Sequence, residues 1–176
     1  MAADLSHAVT PEAARTLDGL LRERVGRTPD GVAYRDFDRT HSNWRDYTWA
    51  QVDRAVARWQ AALAGEGLAA GDRVAVMMRN APDWVVFDQA ALGLGLVVVP
   101  LYTQDRPDNV AYILADAECK VLLLGSIEQW SAFDRVRDQL GGLKRILIAE
   151  AAAVPADDRR VCAVAQWLPL RRSICV

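Results

Sequence analysis

The stretch Val97–Leu124, VVVPLYTQDRPDNVAYILADAECKVLLL, decides how this chain folds. Its two short apolar runs, belonging to 96–100 and 120–124, enclose a segment with helical spacing. Asp105 and Pro107 open that segment, and Val110, Ile113, Leu114 and Ala117 fall on one helical face. Proline in a first helical turn sacrifices no hydrogen bond, because that N–H has no partner in any case. Apolar runs that do not alternate with polar residues suit strands covered on both faces, as in a parallel sheet. The stretch reads as strand, helix, strand.

Working outward, the same unit repeats. Four apolar runs stand at 73–78 (RVAVMM), 96–100 (LVVVP), 120–124 (KVLLL) and 144–149 (KRILIA). Pro82 opens a helical pattern between the first two. Ser126 and Gln129 make a capping box for one between the last two, with Ile127, Trp130, Phe133 and Leu140 inward. The order β-α-β-α-β-α-β predicts an α/β fold, a mainly parallel sheet flanked by helices in a Rossmann-like layered subdomain. Val74, Val76, Val97, Val99, Leu122, Leu124, Ile146 and Ile148 are the expected sheet core. Periodicity leaves the order of the strands open.

Before the first run, Leu17, Leu20, Leu21 and Val25 predict a helix over 16–25, with Gly26 as its stop. GVAYRDF and NWRDYT read as a short N-terminal hairpin. Thr48 and Gln51 then cap a helix whose apolar positions are Val52, Ala55, Val56, Trp59 and Leu63, ended by Gly65 and Gly67. The expected organisation is a mobile arm over 1–15, an α/β subdomain over 16–150, and a linker with the truncated start of a next segment over 151–176.

Composition narrows the function. Hydrophobic residues make up 52% of the 176 and charged residues 25%, which is a globular balance. A net charge of −2 supplies no general attraction to nucleic acid or anionic membrane. Cys119, Cys162 and Cys175 lie far apart with no CxxC pair, so neither a zinc site nor a disulfide framework is indicated. Reduced thiols and the lack of a signal-like start point to the cytoplasm. The apolar stretch 84–101 just reaches spanning length, but Gly93 and Gly95 split it into a helix and a strand.

The search for chemistry returns little. Gly93 and Gly95 form a G-x-G, but it precedes a strand, whereas a dinucleotide loop follows one and opens a helix. No GxxxxGK[ST] string is present. His7, His41 and Ser126 lack the context of a triad, and Asp157 and Asp158 lie in the linker. Ligands of open α/β sheets lie beyond the carboxyl ends of strands. Asn80, Tyr102, Thr103, Gln104 and Arg106 occupy such ends, where capping and solvation compete with ligand contact as their role.

The strings GRTPDGVAYRD, GDRVAV with N-x-P-x-W, and VPLYT…DNVAYIL…KVLLL together resemble the N-terminal region of AMP-forming acyl-CoA synthetases over about residues 16–150. The form PLYTQDRPDNVAYIL is most similar to the fatty-acid, long-chain branch. The resemblance implies an adenylate-forming ligase that uses ATP, Mg²⁺ and coenzyme A on a fatty-acid substrate. It also implies a Ser/Thr/Gly-rich phosphate loop further along the chain. No such string stands here, so the resemblance transfers no catalytic, cofactor-binding or metal-binding residue to this sequence. The expected partners are the remaining domains of a complete enzyme. Without them the chain is expected to be inactive and prone to self-association; peripheral membrane association is left open for the complete enzyme. A self-contained α/β interaction module, or part of an enzyme adenylating an aryl or amino acid, are the other readings.

Overall fold

A computed structural model describes residues 8–38, 41–151 and 153–168. His7, Cys175 and the RRSICV end lie outside the described residues. The chain divides into two compact units, Met1–Ala57 and Arg58–Val176.

In the first unit, Thr10 caps a single helical turn, α1 (Pro11–Ala14), within the segment expected to be a mobile arm. Helix α2 (Leu17–Arg27) starts at Thr16, whose hydroxyl accepts from Gly19 N at 2.9 Å. It runs through Gly26 and ends at Thr28, so Gly26 is not its stop. A Cβ at Gly26 would meet no neighbouring atom, so no close approach requires glycine there, and the Glu23–Arg27 ion pair spans the position at 3.3 Å. The expected apolar face is only partly covered: Leu21 is buried, whereas Leu17 is 63% exposed. Strands β1 (Val32–Asp38) and β2 (Asn43–Thr48) form the antiparallel hairpin. Its cross-strand pairs include Phe37 against Trp44, ring centroids 5.3 Å apart, and Arg35 held by both carboxylate oxygens of Asp46.

Helix α3 (Trp49–Ala64) begins in the first unit. Its capping box is formed: Gln51 Oε1 accepts from Thr48 N at 2.8 Å, and Thr48 Oγ1 from Gln51 N at 3.3 Å. Val52, Val56, Trp59 and Leu63 are buried, as their spacing requires.

The second unit is built on five parallel strands: β3 (Arg73–Met77), β4 (Val97–Pro100), β5 (Val121–Leu124), β6 (Arg145–Ile148) and β7 (Val161–Ala163). Their spatial order is β4-β3-β5-β6-β7. Every residue of β5 is inaccessible to solvent, which explains an apolar run with no alternation. Val97 departs from the expected core at 48% exposure, and Val99 is only half-buried. The reason is topological, since β4 is an edge strand paired with β3 alone. β7 was not among the four expected strands; residues after 151, read as a linker, lead into it.

Helices α4 (Pro82–Gly93), α5 (Pro107–Asp116) and α6 (Ile127–Ala132) connect the strands. α6 is shorter than its apolar pattern suggested. After Trp130 the backbone tightens to i→i+3 bonds, Phe133 N to Trp130 O and Val136 N to Phe133 O, and closes in a 3₁₀ turn at Arg137–Leu140. The buried residues Trp130, Phe133 and Val136 recur every three positions, the period that a 3₁₀ winding aligns. Arg137 then stacks over Trp130, 4.6 Å from the ring centre, and pairs with Asp134 at 2.7 Å and Asp157 at 2.8 Å. The G-x-G is a turn: Gly95 has φ +72°, and its carbonyl accepts from Gly71 N at 2.8 Å.

Candidate functional site

Strand order locates the place to look. From β3 the chain moves outward to β4, then returns to the other side of β3 to lay down β5, β6 and β7. The direction reverses between β3 and β5, and in doubly wound sheets the ligand crevice lies at that reversal, beyond the carboxyl ends.

Those ends are tightly joined. Gly125, just after β5, donates its N–H toward Met77 O at 3.3 Å. A Cβ on Gly125 would stand 3.3 Å from Met78 Cβ and 3.2 Å from Gln129 Oε1, so glycine permits the close approach. Gln129 Oε1 accepts from both Gly125 N, at 2.8 Å, and Ser126 N, at 3.2 Å. The side-chain oxygen thus closes the capping box on the Ser126 amide and also holds the Gly125 amide before it. Beyond β6, Glu150 N donates to Gly125 O at 2.9 Å, and the Glu150 carboxylate meets Arg79 at 3.4 Å. Both partners are about half exposed, so this pair contributes little stability.

The end of β4 is equally ordered. Leu101 N continues the ladder to Val76 O at 2.9 Å, and Asp105 N closes a turn to Tyr102 O at 3.1 Å. Asp105 accepts from Arg106 N at 2.8 Å and from the Asn109 side-chain amide, which ties the turn to the first turn of α5. Asn80, Tyr102, Thr103, Gln104 and Arg106 are all exposed, Tyr102 to 85%. Among the described residues, no side-chain hydrogen bond joins them to one another. Sequence position found the strand ends but missed Arg79 and Glu150, whose pairing joins segments distant in the chain and leaves no local signal.

Of the amides at these strand ends, Arg106 N is held by Asp105, and Gly125 N and Ser126 N by Gln129. Among the described residues no group of three His, Cys, Asp or Glu side chains could hold a metal ion. Lys120 and Lys144 stand just before β5 and β6, at the opposite end of the sheet, and Lys144 Nζ donates to Gly67 O at 3.1 Å. A hollow of about 230 Å³ lies at that amino end, lined by Leu114, Cys119, Lys120, Leu140 and Leu143. Burial pushes the Cys119 thiol up to about 11, with Arg73 and Lys120 opposing the rise, which favours the thiol over the thiolate. No described helix is long and apolar enough to cross a membrane.

Comparison with known proteins supplies what the geometry does not. The family model described as AMP-binding enzyme matches residues 21–168. A long-chain-fatty-acid–CoA ligase of Mycobacterium bovis, FadD15, is 27% identical over 131 residues, covering 74% of this chain and 22% of that protein. FadD13 of Mycobacterium tuberculosis, also a long-chain-fatty-acid–CoA ligase, is 31% identical over 112 residues, covering 64% of this chain and 22% of its own length. The solved structure of a Mycobacterium tuberculosis fatty acyl CoA synthetase superposes with a TM-score of 0.69 at 27% identity, over 85% of this chain and 32% of that one. The chain thus spans about a fifth of the curated relatives it matches. A family match over most of the residues, carried on the same α/β frame, establishes that the chain belongs to the AMP-binding enzyme family.

Proposed function

We propose that this chain is the N-terminal α/β subdomain, centred on residues 16–150, of an ATP-dependent ligase. The complete enzyme converts a long-chain fatty acid to its acyl-adenylate and then to acyl-CoA. The names of the relatives support the substrate class, and the fraction of their length covered supports a partial enzyme. The observation that carries the reading is the family match over residues 21–168 of a chain that spans only about a fifth of those ligases.

In this reading ATP, Mg²⁺ and coenzyme A supply the activation chemistry in the complete enzyme. This subdomain supplies a rigid wall against which groups from the remaining domains are positioned, and rigidity of that kind is what electrostatic catalysis needs. The protein works in the cytoplasm. The isolated chain makes neither product and associates with itself through surface that the missing domains cover, including Val97 on the open edge.

The test is calorimetry with Mg-ATP and an ATP–pyrophosphate exchange assay on two proteins, the 176-residue chain and the same chain continued through the rest of its reading frame. The short chain should show neither tight ATP binding nor exchange. The long one should exchange in the presence of fatty acid. Tight ATP binding by the short chain refutes the wall reading. Exchange only with an aryl or amino acid moves the substrate assignment to that class.

A further inference from the structure

We infer that Glu66 is a positioning residue: with Arg145 and Trp167 it forms a latch that sets the direction in which the polypeptide leaves the sheet toward the rest of a complete ligase. The inference rests on the ligase reading above. Glu66 lies just after α3, with 11% of its side chain exposed. A single oxygen, Oε1, accepts from Arg145 Nε at 2.9 Å and from Trp167 Nε1 at 2.7 Å. Arg145 opens β6, and Trp167 ends α7 (Val164–Trp167), the single turn that follows β7. One carboxylate therefore joins three points that are far apart in sequence.

The rest of the latch is aromatic. The Trp167 ring meets Trp59 edge-on with centroids 5.5 Å apart, and Trp59 meets Phe87 at 5.8 Å. Trp59 and Phe87 are buried. Arg145 also reaches Arg159 O at 3.4 Å, just before β7. A four-residue helix with no side-chain N-cap has no stability of its own, so tertiary contacts must hold α7 in place.

Direction follows from register. β7 runs parallel to β6, with Ile146 opposite Val161 and Ile148 opposite Ala163. Arg145 is at the amino end of β6. Trp167, by reaching Glu66 beside Arg145, carries the chain from the carboxyl end of β7 back toward the amino end of the sheet. That return is what a parallel crossover requires before another strand can be added. A charged acceptor serving two donors holds it more firmly than a neutral one. Misplacing a reacting group by about 1 Å can cost about 100-fold in rate, so a loosened exit should register in catalysis.

The test uses the complete ligase and three variants, Glu66→Gln, Glu66→Leu and Trp167→Phe, in ATP–pyrophosphate exchange with fatty acid. The measured kcat is corrected for the folded fraction. Glu66→Gln keeps an oxygen for both donors and should stay within about threefold of the wild type. Glu66→Leu removes it and should lower kcat about tenfold or more, with KM for the fatty acid little changed. Trp167→Phe keeps the ring stack but loses the N–H, and should fall between them. The Trp167 indole N–H resonance should shift in Glu66→Leu and hold its place in Glu66→Gln. A merely structural role would lower the folded fraction and leave the corrected kcat intact, and that outcome overturns the inference. A wild-type ligase that exchanges but is indifferent to Glu66→Leu overturns it as well. A wild-type ligase with no carboxylate-dependent exchange overturns the ligase reading, and the latch's catalytic role with it.

Discussion

Leu122→Ala and Val97→Ala make a matched pair that tests the strand order. Both residues come from uninterrupted apolar runs, and composition gives no reason to rank one above the other. In the structure Leu122 is fully buried on β5, between β3 and β6, with Ala75 on one side and Ile146 on the other. Removing its isopropyl end forfeits transfer free energy and leaves a cavity among rigid neighbours, at a cost of about 2–5 kcal/mol. Val97 lies on edge strand β4 and is 48% exposed. Shortening it removes about two methyl groups that are already half in water. The loss should be about 0.5–1 kcal/mol, including the lower strand propensity of alanine. Domains of this kind have about 5–15 kcal/mol in total, so the first variant should lower the urea midpoint substantially and the second only slightly. Urea titration followed by tryptophan fluorescence at matched protein concentration gives both midpoints, with the slope checked for constancy. Equal losses, or a larger loss at Val97, would refute the assignment of β4 to the edge and β5 to the centre.

Two further outcomes follow from the titrating groups. Burial raises the Asp88 carboxyl above its ordinary range, with Gln89 opposing through a hydrogen bond at 3.1 Å. A raised folded-state value means the protonated form is the one the fold favours, so the contribution is present at low pH and lost as pH rises through the folded value. Asp88→Asn should therefore stabilise the chain at pH 7, with the gain vanishing near pH 3; urea midpoints at both values check it, and an equal gain at each contradicts the desolvation argument. Cys119, buried and held near 11, should resist a neutral thiol reagent at pH 8 while half-buried Cys162 reacts. Mass mapping of the labelled cysteines before and after unfolding decides this, and labelling of Cys119 in the folded chain contradicts it.

Local grammar was legible in the sequence, and neighbourhood was not. The capping pair Thr48 and Gln51, the helix-opening Pro82 and Pro107, and the burial of Val110 and Leu114 depend on residues within one or two turns, and all appear as read. Val97 was misjudged because an apolar run does not say which strands flank it. The start of a next segment was legible within 151–176, but not that Val161–Ala163 joins this sheet: three residues are too few to show a period, and the partner Ile146 lies in another run. The candidate site divides in the same way. Gln129 could be named from its spacing to Ser126, and the structure adds that it holds two amides. The ion pair of Arg79 with Glu150, and the meeting of Glu66, Arg145 and Trp167, join residues that no window of sequence contains together.

The order β4-β3-β5-β6-β7 has a consequence for how the molecule is assembled during synthesis. The pairing of β3 with β5 must wait until all of β4 and α5 has been made, and closing that long loop is the slow entropic step. From β5 onward each strand docks beside the one made just before it. The sheet then grows in one direction, keeping step with the emerging chain, and its advancing margin at each moment is the newest strand. Aggregation risk is concentrated in the interval before β5 arrives, when the apolar run of β3 is present without the strand that covers its second edge.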